Sequence, residues 1–257
     1  MIKKNLVGFQ ETKTAGKIAS NALDELSKII KPGITTNEID LFCYNYLNDN
    51  KAFSAPLYYR GFPKSCCTSV NHVVCHGIPS EKILREGDIL NVDITAIKDG
   101  WHGDTSKMFL VGECSTKAKR LVEATYISLM KSIKILKAGI NLGDIGYTIQ
   151  NHVESEGFSV VKDFCGHGIG KNFHNPPNIL HYGSKGSGQL LEEGMIFTIE
   201  PMINEGKFET KVLKDGWTAV TRDKSLSAQF EHTVGIKKDG YEIFTLSETD
   251  KNFLLNK

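Results

Sequence analysis

The chain has 257 residues, of which 24% are charged and 40% are hydrophobic, so it can bury a sizeable core and is neither disordered nor fibrous. Lysine and arginine number 31 against 30 aspartates and glutamates, which leaves no overall basic field of the kind that draws a protein to nucleic acid. The charge balance therefore argues against a nucleic-acid substrate, while the length allows either one large domain or two small ones.

The first residues, Met1-Ile2-Lys3-Lys4-Asn5, run directly into a polar helical pattern. They contain neither the apolar stretch of a signal peptide nor a membrane-spanning run, so we expect a cytoplasmic protein without membrane contact. The cysteines are scattered and show no C-x-x-C pattern, which is typical neither of a disulfide framework nor of a zinc finger. We interpret most of them as small buried hydrophobic residues; they are Cys43, Cys66, Cys67, Cys75, Cys114 and Cys165.

Three helices are predicted from the spacing of apolar residues. Apolar residues recur at intervals of three and four from Ala15 to Ile30, which predicts an amphipathic helix that ends at Lys31-Pro32-Gly33. Thr36 is predicted to cap a second helix from about Glu38 to Leu47. A third helix is predicted from about Thr116 to Leu136.

Short sequence matches recur in the same order in the two halves of the chain, which is the signature of an internal repeat. We interpret the chain as a single domain, 1–257, with two related halves, about 1–110 and 111–257, and expect the active site where the halves meet. The matches are Lys31-Pro32-Gly33-Ile34 with Lys137-Ala138-Gly139-Ile140, Ala52-Phe53-Ser54 with Gly157-Phe158-Ser159, His76-Gly77-Ile78 with His167-Gly168-Ile169, and Glu86-Gly87-Asp88-Ile89 with Glu193-Gly194-Met195-Ile196.

Two aspartates lie on the polar faces of neighbouring predicted strands. Residues 89–96 alternate between apolar and polar side chains, and Asp93 is on the polar side. The turn Lys98-Asp99-Gly100 predicts a hairpin, after which His102, Asp104 and Ser106 share one face. We therefore expect Asp93 and Asp104 to point to the same place.

The internal repeat adds two acids from the second half. Glu200 follows Glu193 at the distance at which Asp93 follows Glu86, so each half contributes one acid from the same strand position. Glu231, on a following strand, corresponds to Asp104. Four carboxylates in a partly buried cleft repel one another and require positive charge, which two divalent cations supply.

With His167 as a fifth ligand the donor set is rich in oxygen and has one nitrogen. This set suits manganese, iron or cobalt at least as well as zinc, so the identity of the two divalent metal ions stays open. Two metals that share a bridging water predict hydrolysis without a nucleophilic side chain.

Several residues also have ordinary structural interpretations. A single acid on a half-exposed strand more often faces solvent, and either His76 or His174 alone is more often a structural histidine; both lie in loops bounded by glycine or proline. His232 is predicted to point to the strand face opposite Glu231. The pair Cys66-Cys67 lacks an evident histidine and acid for thiol catalysis. Residues 183–188 are interpreted as a surface turn rather than a phosphate loop.

Seven motifs together resemble those of the type I methionine aminopeptidases over nearly the whole chain. They are Val74-Cys75-His76-Gly77-Ile78-Pro79, Asn91-Val92-Asp93, His102-Gly103-Asp104-Thr105-Ser106, Gly166-His167-Gly168-Ile169-Gly170, Phe173-His174, Thr198-Ile199-Glu200-Pro201-Met202 and Gln229-Phe230-Glu231-His232-Thr233. The resemblance implies the pita-bread fold, an α+β architecture in which a pseudo-twofold antiparallel sheet is covered by helices.

The resemblance also implies the roles of individual residues. Asp93 would bind one metal, His167 and Glu200 the other, and Asp104 and Glu231 both. His76 and His174 would contact the substrate and help to stabilise the transition state, while Glu200 would also move a proton. The matching methionine-pocket residues are Tyr59, Phe62, Cys67, Phe173 and Trp217, and a monovalent cation would be bound through Asn71, Val73 and Ser227.

The implied reaction is removal of the initiator methionine from nascent polypeptides by a bacterial or organellar type of enzyme. The implied partners are the N-termini of nascent peptides and, transiently, the ribosome, and we expect a monomer. Two alternatives stay open. An X-Pro peptidase of the same fold usually has a large extra N-terminal domain, for which 257 residues leave no room. A non-catalytic relative usually lacks some of the ligands, all of which occur here.

Overall fold

The structure is a computed structural model, which describes residues 6–250. In these residues four α-helices pack against a large antiparallel sheet, with two smaller sheets beside it. The helices are α1 (Phe9–Leu26), α2 (Thr36–Asp49), α3 (Thr116–Lys134) and α4 (Leu142–Ser155). The strands are β1 (Phe53–Ser54), β2 (Cys67–Val70), β3 (Val73–Cys75), β4 (Ile89–Lys98), β5 (Trp101–Leu110), β6 (Ser159–Val160), β7 (Gly166–Gly168), β8 (Asn175–Ile179), β9 (Ile196–Ile199), β10 (Met202–Asn204), β11 (Thr210–Val212), β12 (Ala219–Thr221), β13 (Ser227–Gln229), β14 (Glu231–Lys237) and β15 (Gly240–Ile243).

The large sheet has the strand order β1-β4-β5-β14-β9-β7-β8, with β2 also paired to β4 and β15 to β14. Strands β4 and β5 form the predicted hairpin. The apolar side of β4, including Val92 and Ile94, packs against α1 and α2, so Asp93 faces the other side. In the described part of the chain no helix is long and apolar enough to cross a membrane. The signal-peptide prediction rests on residues 1–5, which lie outside the described residues.

The structure contains the three predicted helices, but their last residues differ from the predicted ones. Helix α1 ends at Leu26, before the predicted Ile30, although Ile29 and Ile30 still pack against the core from the following turn. Burial thus continues the apolar spacing past the last helical residue. Helix α2 runs to Asp49, two residues beyond the predicted Leu47, and α3 ends at Lys134 rather than Leu136.

The predicted cap at Thr36 is wrong by one residue. Thr35 caps α2, since its side chain accepts from the Glu38 N–H at 3.2 Å and the Glu38 carboxylate accepts from the Thr35 N–H at 2.7 Å. This reciprocal pair is a capping box. Thr36 is buried, and its hydroxyl donates to the Ser80 carbonyl instead.

The same hydrogen bonds occur in both halves of the chain. The Gly33 N–H donates to the Leu84 carbonyl at 2.8 Å, and the corresponding Gly139 N–H donates to Leu191 at 2.8 Å. At the start of α4 the Asp144 carboxylate accepts from the Asn141 N–H at 3.2 Å, as the Glu38 carboxylate accepts from the Thr35 N–H at the start of α2. These repeated contacts are what two related halves would have. The division into halves of one domain stays a prediction, which they support.

Helix α1 approaches β5 so closely that the contact requires glycine on the strand. A Cβ added to Gly103 would lie 2.1 Å from the backbone nitrogen of Gly16 on α1. We therefore expect Gly103→Ala to push the helix away from the sheet and to lower the free energy of unfolding by about 1–3 kcal/mol, measured by urea denaturation. Gly240→Ala is the control because no atom lies within 4 Å of its added Cβ. Equal losses in the two variants would contradict the close contact.

Candidate metal centre

Three strands bring acids from both halves to one place. Asp93 on β4 is paired with Ser106 on β5, and Ser106 is paired with Glu231 on β14, so the three residues form one row across the sheet. Asp104 lies two residues before Ser106 and therefore on the same face. Side-chain donor atoms of Asp104, His167 and Glu231 lie within 4.8 Å of one another, which is close enough for one ion to contact all three.

Glu200 and His167 enter the cluster from neighbouring segments. His167 Nε2 lies 3.6 Å from Asp104 Oδ2 and 3.6 Å from Glu200 Oε1. The Thr198 hydroxyl donates to Glu200 Oε1 at 2.8 Å and accepts from the His167 N–H at 3.0 Å. Gln229 Nε2 donates to Glu200 Oε2 at 3.4 Å. Thr198 and Gln229 thus orient the candidate ligands without belonging to the predicted set.

The cluster lacks the positive charge that four acids require. Burial raises the pKa of Asp93 to about 7. Burial, and then the negative charge of neighbouring acids, raises the pKa of Asp104, Glu200 and Glu231 well above the usual range. Within residues 6–250 no lysine or arginine forms an ion pair with any of these acids. The donor set therefore fits divalent cations, which would replace the missing positive charge.

The imidazole rings of His167 and His174 are uncharged. Burial lowers the pKa of His167 to about 4 and that of His174 to about 3. Their ring centroids are 4.2 Å apart, and His174 Nδ1 lies 3.0 Å from the Tyr59 hydroxyl. An uncharged imidazole nitrogen has the free lone pair that metal coordination and hydrogen-bond acceptance require.

A cavity of about 580 Å³ opens over the cluster. Aromatic rings form much of its wall: the centroids of Tyr59 and Phe173 are 5.0 Å apart, and those of Phe62 and Trp217 are 5.2 Å apart. The described lining includes all five candidate ligands and the predicted substrate and pocket residues, namely Asp93, Asp104, His167, Glu200, Glu231, His76, His174, Tyr59, Phe62, Cys67, Phe173 and Trp217. Each motif that carried the resemblance therefore contributes at least one residue to this cavity.

The thiols beside the cavity are poorly suited to nucleophilic catalysis. Burial raises the pKa of Cys67 well above its usual range, and a hydrogen bond that the Cys66 thiol donates to Cys43, together with burial, does the same for Cys66. A protonated thiol is a weak nucleophile. His232 is buried beside Thr245, with Nδ1 2.9 Å from its hydroxyl, and does not line the cavity.

The residues predicted to bind a monovalent cation lie in a separate place. The Ser227 N–H donates to the Asn71 carbonyl at 2.9 Å, and Asn71 has a left-handed backbone with φ of 56°. Val73 is on β3, paired with Val220 of β12. Asn71 and Ser227 are thus in contact, and cation binding there stays a prediction.

The sequence analysis missed part of the cavity wall and its supports. Arg60 and Asp163 are exposed residues at the cavity, and their charges give no pattern in the sequence. Strand alternation puts Thr198 on the same face as Glu200 and Gln229 on the same face as Glu231, but it does not predict that they form hydrogen bonds with a ligand. His181, which contacts the backbone of Glu200, has no comparable signal.

Comparisons with known proteins show the family to which the chain belongs. The model of metallopeptidase family M24 matches residues 10–238. The chain is 55% identical to a methionine aminopeptidase of Rickettsia prowazekii (strain Madrid E), covering 93% of both chains. It is 51% identical to a methionine aminopeptidase of Escherichia coli (strain K12), covering 94% of this chain and 92% of the relative.

A solved structure gives the same answer for the fold. The crystal structure of methionine aminopeptidase from Rickettsia prowazekii superposes with a TM-score of 0.92 at 55% identity, covering 93% of this chain and 97% of that one. The curled antiparallel sheet and its covering helices agree with the predicted pita-bread fold. The chain therefore belongs to metallopeptidase family M24, and within that family to the methionine aminopeptidases.

Proposed function

We propose that this chain is a metal-dependent aminopeptidase that removes the initiator methionine from the N-termini of nascent polypeptides. The observation that carries the proposal is the cluster of Asp104, His167 and Glu231 in a cavity with an aromatic wall. The similarity to proteins named methionine aminopeptidase supports the choice of substrate. An X-Pro peptidase and a non-catalytic binding protein are the rival functions.

The proposed cofactor is a pair of divalent metal ions, from manganese, iron, cobalt and zinc. Asp93 would hold one ion, His167 and Glu200 the other, and Asp104 and Glu231 both. When bound, such ions lower the pKa of a coordinated water towards about 7 and polarise a carbonyl group. The raised pKa values of the acids support this assignment. They show that the ionised carboxylates are unfavourable without a cation, and a bound metal ion would displace the protons and stabilise the ionised form.

The cavity wall would select the first residue of the substrate. Phe62 and Trp217 meet edge to face, and Cys67 on β2 lies opposite Asp93 on β4. This apolar surface, with its polarisable sulfur, suits an unbranched thioether such as methionine. Tyr59 and Phe173 extend the same wall. The rest of the polypeptide would leave through the opening of the cavity.

Glu200 and two histidines would handle the proton and the developing charge. Glu200 Oε1 is held by Thr198, while Oε2 has a longer contact to Gln229 and is the freer oxygen to accept the proton that the attacking water loses. His76 and His174 would contact the peptide bond. Both have a pKa lowered by burial, so they are neutral and can donate one N–H each.

Further parts of the proposal concern the surroundings of the enzyme. A monovalent cation would be bound through Asn71, Val73 and Ser227, apart from the cavity. The enzyme would work in the cytoplasm as a monomer and contact the ribosome transiently, because its substrates are the N-termini of nascent peptides.

The test is methionine release by metal-free protein to which manganese or cobalt has been added. We expect release from a peptide that begins Met-Gly, whose second residue has no side chain, and much slower release from one with a bulky second residue. Chelation should stop the reaction. Cleavage of X-Pro peptides alone would favour the first rival, and failure to cleave any peptide with either metal would refute the proposal.

A further inference from the structure

One buried histidine outside the cavity contacts a candidate metal ligand. His181 has no exposed surface, and its Nε2 lies 3.2 Å from the backbone nitrogen of Glu200. Because a backbone N–H can only donate, Nε2 is the acceptor and carries no proton. The neutral ring therefore has its proton on Nδ1.

Glu200 lies where its backbone needs such an acceptor. The pairing of β9 with β14 ends at Ile199, opposite His232, so the Glu200 N–H has no partner in the sheet. Pro201 follows, lacks an N–H, and favours an extended conformation at Glu200. A buried N–H without an acceptor destabilises the fold. His181 supplies the acceptor at the point where the chain leaves the sheet.

The segment that carries His181 is held by α4 rather than by the cavity. A Cβ added to Gly146 on α4 would lie 2.4 Å from the Tyr182 carbonyl oxygen and 2.8 Å from that of Leu180. The Gly183 N–H also donates to the Gln150 side chain at 3.2 Å. This close packing fixes the backbone on both sides of His181, and His181 is not part of the cavity lining.

Burial of a histidine at position 181 is less favourable for stability than burial of an apolar side chain. Its Nδ1 is buried and has no hydrogen-bond partner within residues 6–250. A leucine of similar size would avoid an unpaired Nδ1–H. The bond from Glu200 to Nε2 is the contact that a hydrocarbon side chain could not replace.

We propose that His181 is a positioning residue, which accepts the Glu200 N–H and so fixes the backbone from which the Glu200 carboxylate reaches the cluster. Thr198 holds the other end of the same residue through its carboxylate. Loss of either contact would let Glu200 move away from His167, with which it is expected to share a metal. This inference rests on the proposed function.

The test compares His181→Gln with His181→Leu. The glutamine amide oxygen can take the place of Nε2 as an acceptor, whereas leucine cannot accept a hydrogen bond. We expect His181→Leu to lower both Mn²⁺ affinity, measured by calorimetry on the metal-free protein, and kcat by about 10–100-fold, with a smaller change in KM. His181→Gln should recover most of both losses.

Thermal unfolding of the metal-free variants separates positioning from structure. A purely structural role would lower the melting temperature of both variants and leave the Mn²⁺ affinity of the folded protein unchanged. Wild-type Mn²⁺ affinity and kcat in folded His181→Leu would overturn the proposal. If the wild type releases no methionine, the proposed function fails, while the calorimetric comparison still decides the role of His181.

A measurement on the wild type covers the case in which His181→Leu does not fold. Nitrogen-15 spectra of protein labelled at histidine distinguish a protonated from an unprotonated ring nitrogen. We expect Nε2 of His181 to be unprotonated and Nδ1 to be protonated. A proton on Nε2 would exclude acceptance from Glu200 and overturn the proposal.

Discussion

Replacing Asp104 by asparagine is expected to lower kcat/KM for methionine release at least about 1000-fold. The carboxylate oxygens of Asp104 face both His167 and the acids of the cluster, and asparagine offers one neutral oxygen in their place. A metal ion stabilises the charge of the transition state by several kcal/mol, and about 4 kcal/mol corresponds to about 1000-fold in rate. Peptide hydrolysis at saturating Mn²⁺ measures the effect.

The same substitution, which should lower activity, is expected to preserve or increase the stability of the metal-free protein. Burial and the charge of Asp93 raise the pKa of Asp104, so its ionised form is unfavourable in the fold near neutral pH. Asparagine removes that charge. Its amide oxygen can still accept the hydrogen bond that the Thr95 hydroxyl donates to Asp104 Oδ1 at 2.6 Å. Metal-free Asp104→Asn should therefore unfold at the same or a higher urea concentration than the metal-free wild type.

Asp24→Asn is the matched control on α1. Burial alone would raise the pKa of Asp24, but its hydrogen bonds with Thr249 and Lys107 lower it. Its charge therefore stabilises the fold, and the variant should lose stability and keep its activity. If Asp104→Asn retained wild-type kcat/KM, the shared-metal model would be wrong. If it lost activity only because it unfolded, the urea curves would show it.

Much of the cluster could be predicted because strand geometry is local. Alternation along residues 89–96 put Asp93 on the polar face, and the turn before Trp101 put Asp104 beside it; the observed pairing of Thr95 with Asp104 shows the same hairpin. The internal repeat then pointed to Glu200 and Glu231. These steps need only the period of a strand and a comparison of the chain with itself.

The backbone partner of Glu200 could not be predicted because it depends on a contact between distant segments. Glu200 lies one residue beyond β9, so its backbone partner is not set by the sheet. That partner, His181, is 19 residues earlier in the chain, and the backbone on either side of it lies close to Gly146 of α4. The one-residue error at Thr36 has a similar cause, since tertiary contact with Ser80 decides which threonine caps α2.

The stability gained from metal should increase with pH between about pH 5 and 7.5. In the unfolded chain, carboxyl groups titrate near pH 4. In the metal-free fold, burial raises the pKa of Asp93 from 3.8 to about 7, and burial with neighbouring charge raises the pKa of Glu200 and of Glu231 well above the usual range. The folded state therefore keeps protons that the unfolded state has lost. Since stability falls with pH wherever the native state binds more protons, this cluster destabilises the metal-free protein as the pH rises.

Metal should reverse that trend, because cations displace the protons and bind more tightly as proton competition falls. The measurement is the melting temperature with and without a fixed excess of Mn²⁺ at each pH. The difference between the two melting temperatures reports the contribution of the cluster alone, since remote groups such as Asp24 titrate alike in both samples. It should be small at pH 5 and largest at pH 7.5, and Asp104→Asn should flatten it. A difference independent of pH would mean that Mn²⁺ binds without displacing protons from these acids, and the cluster would then not be the metal centre.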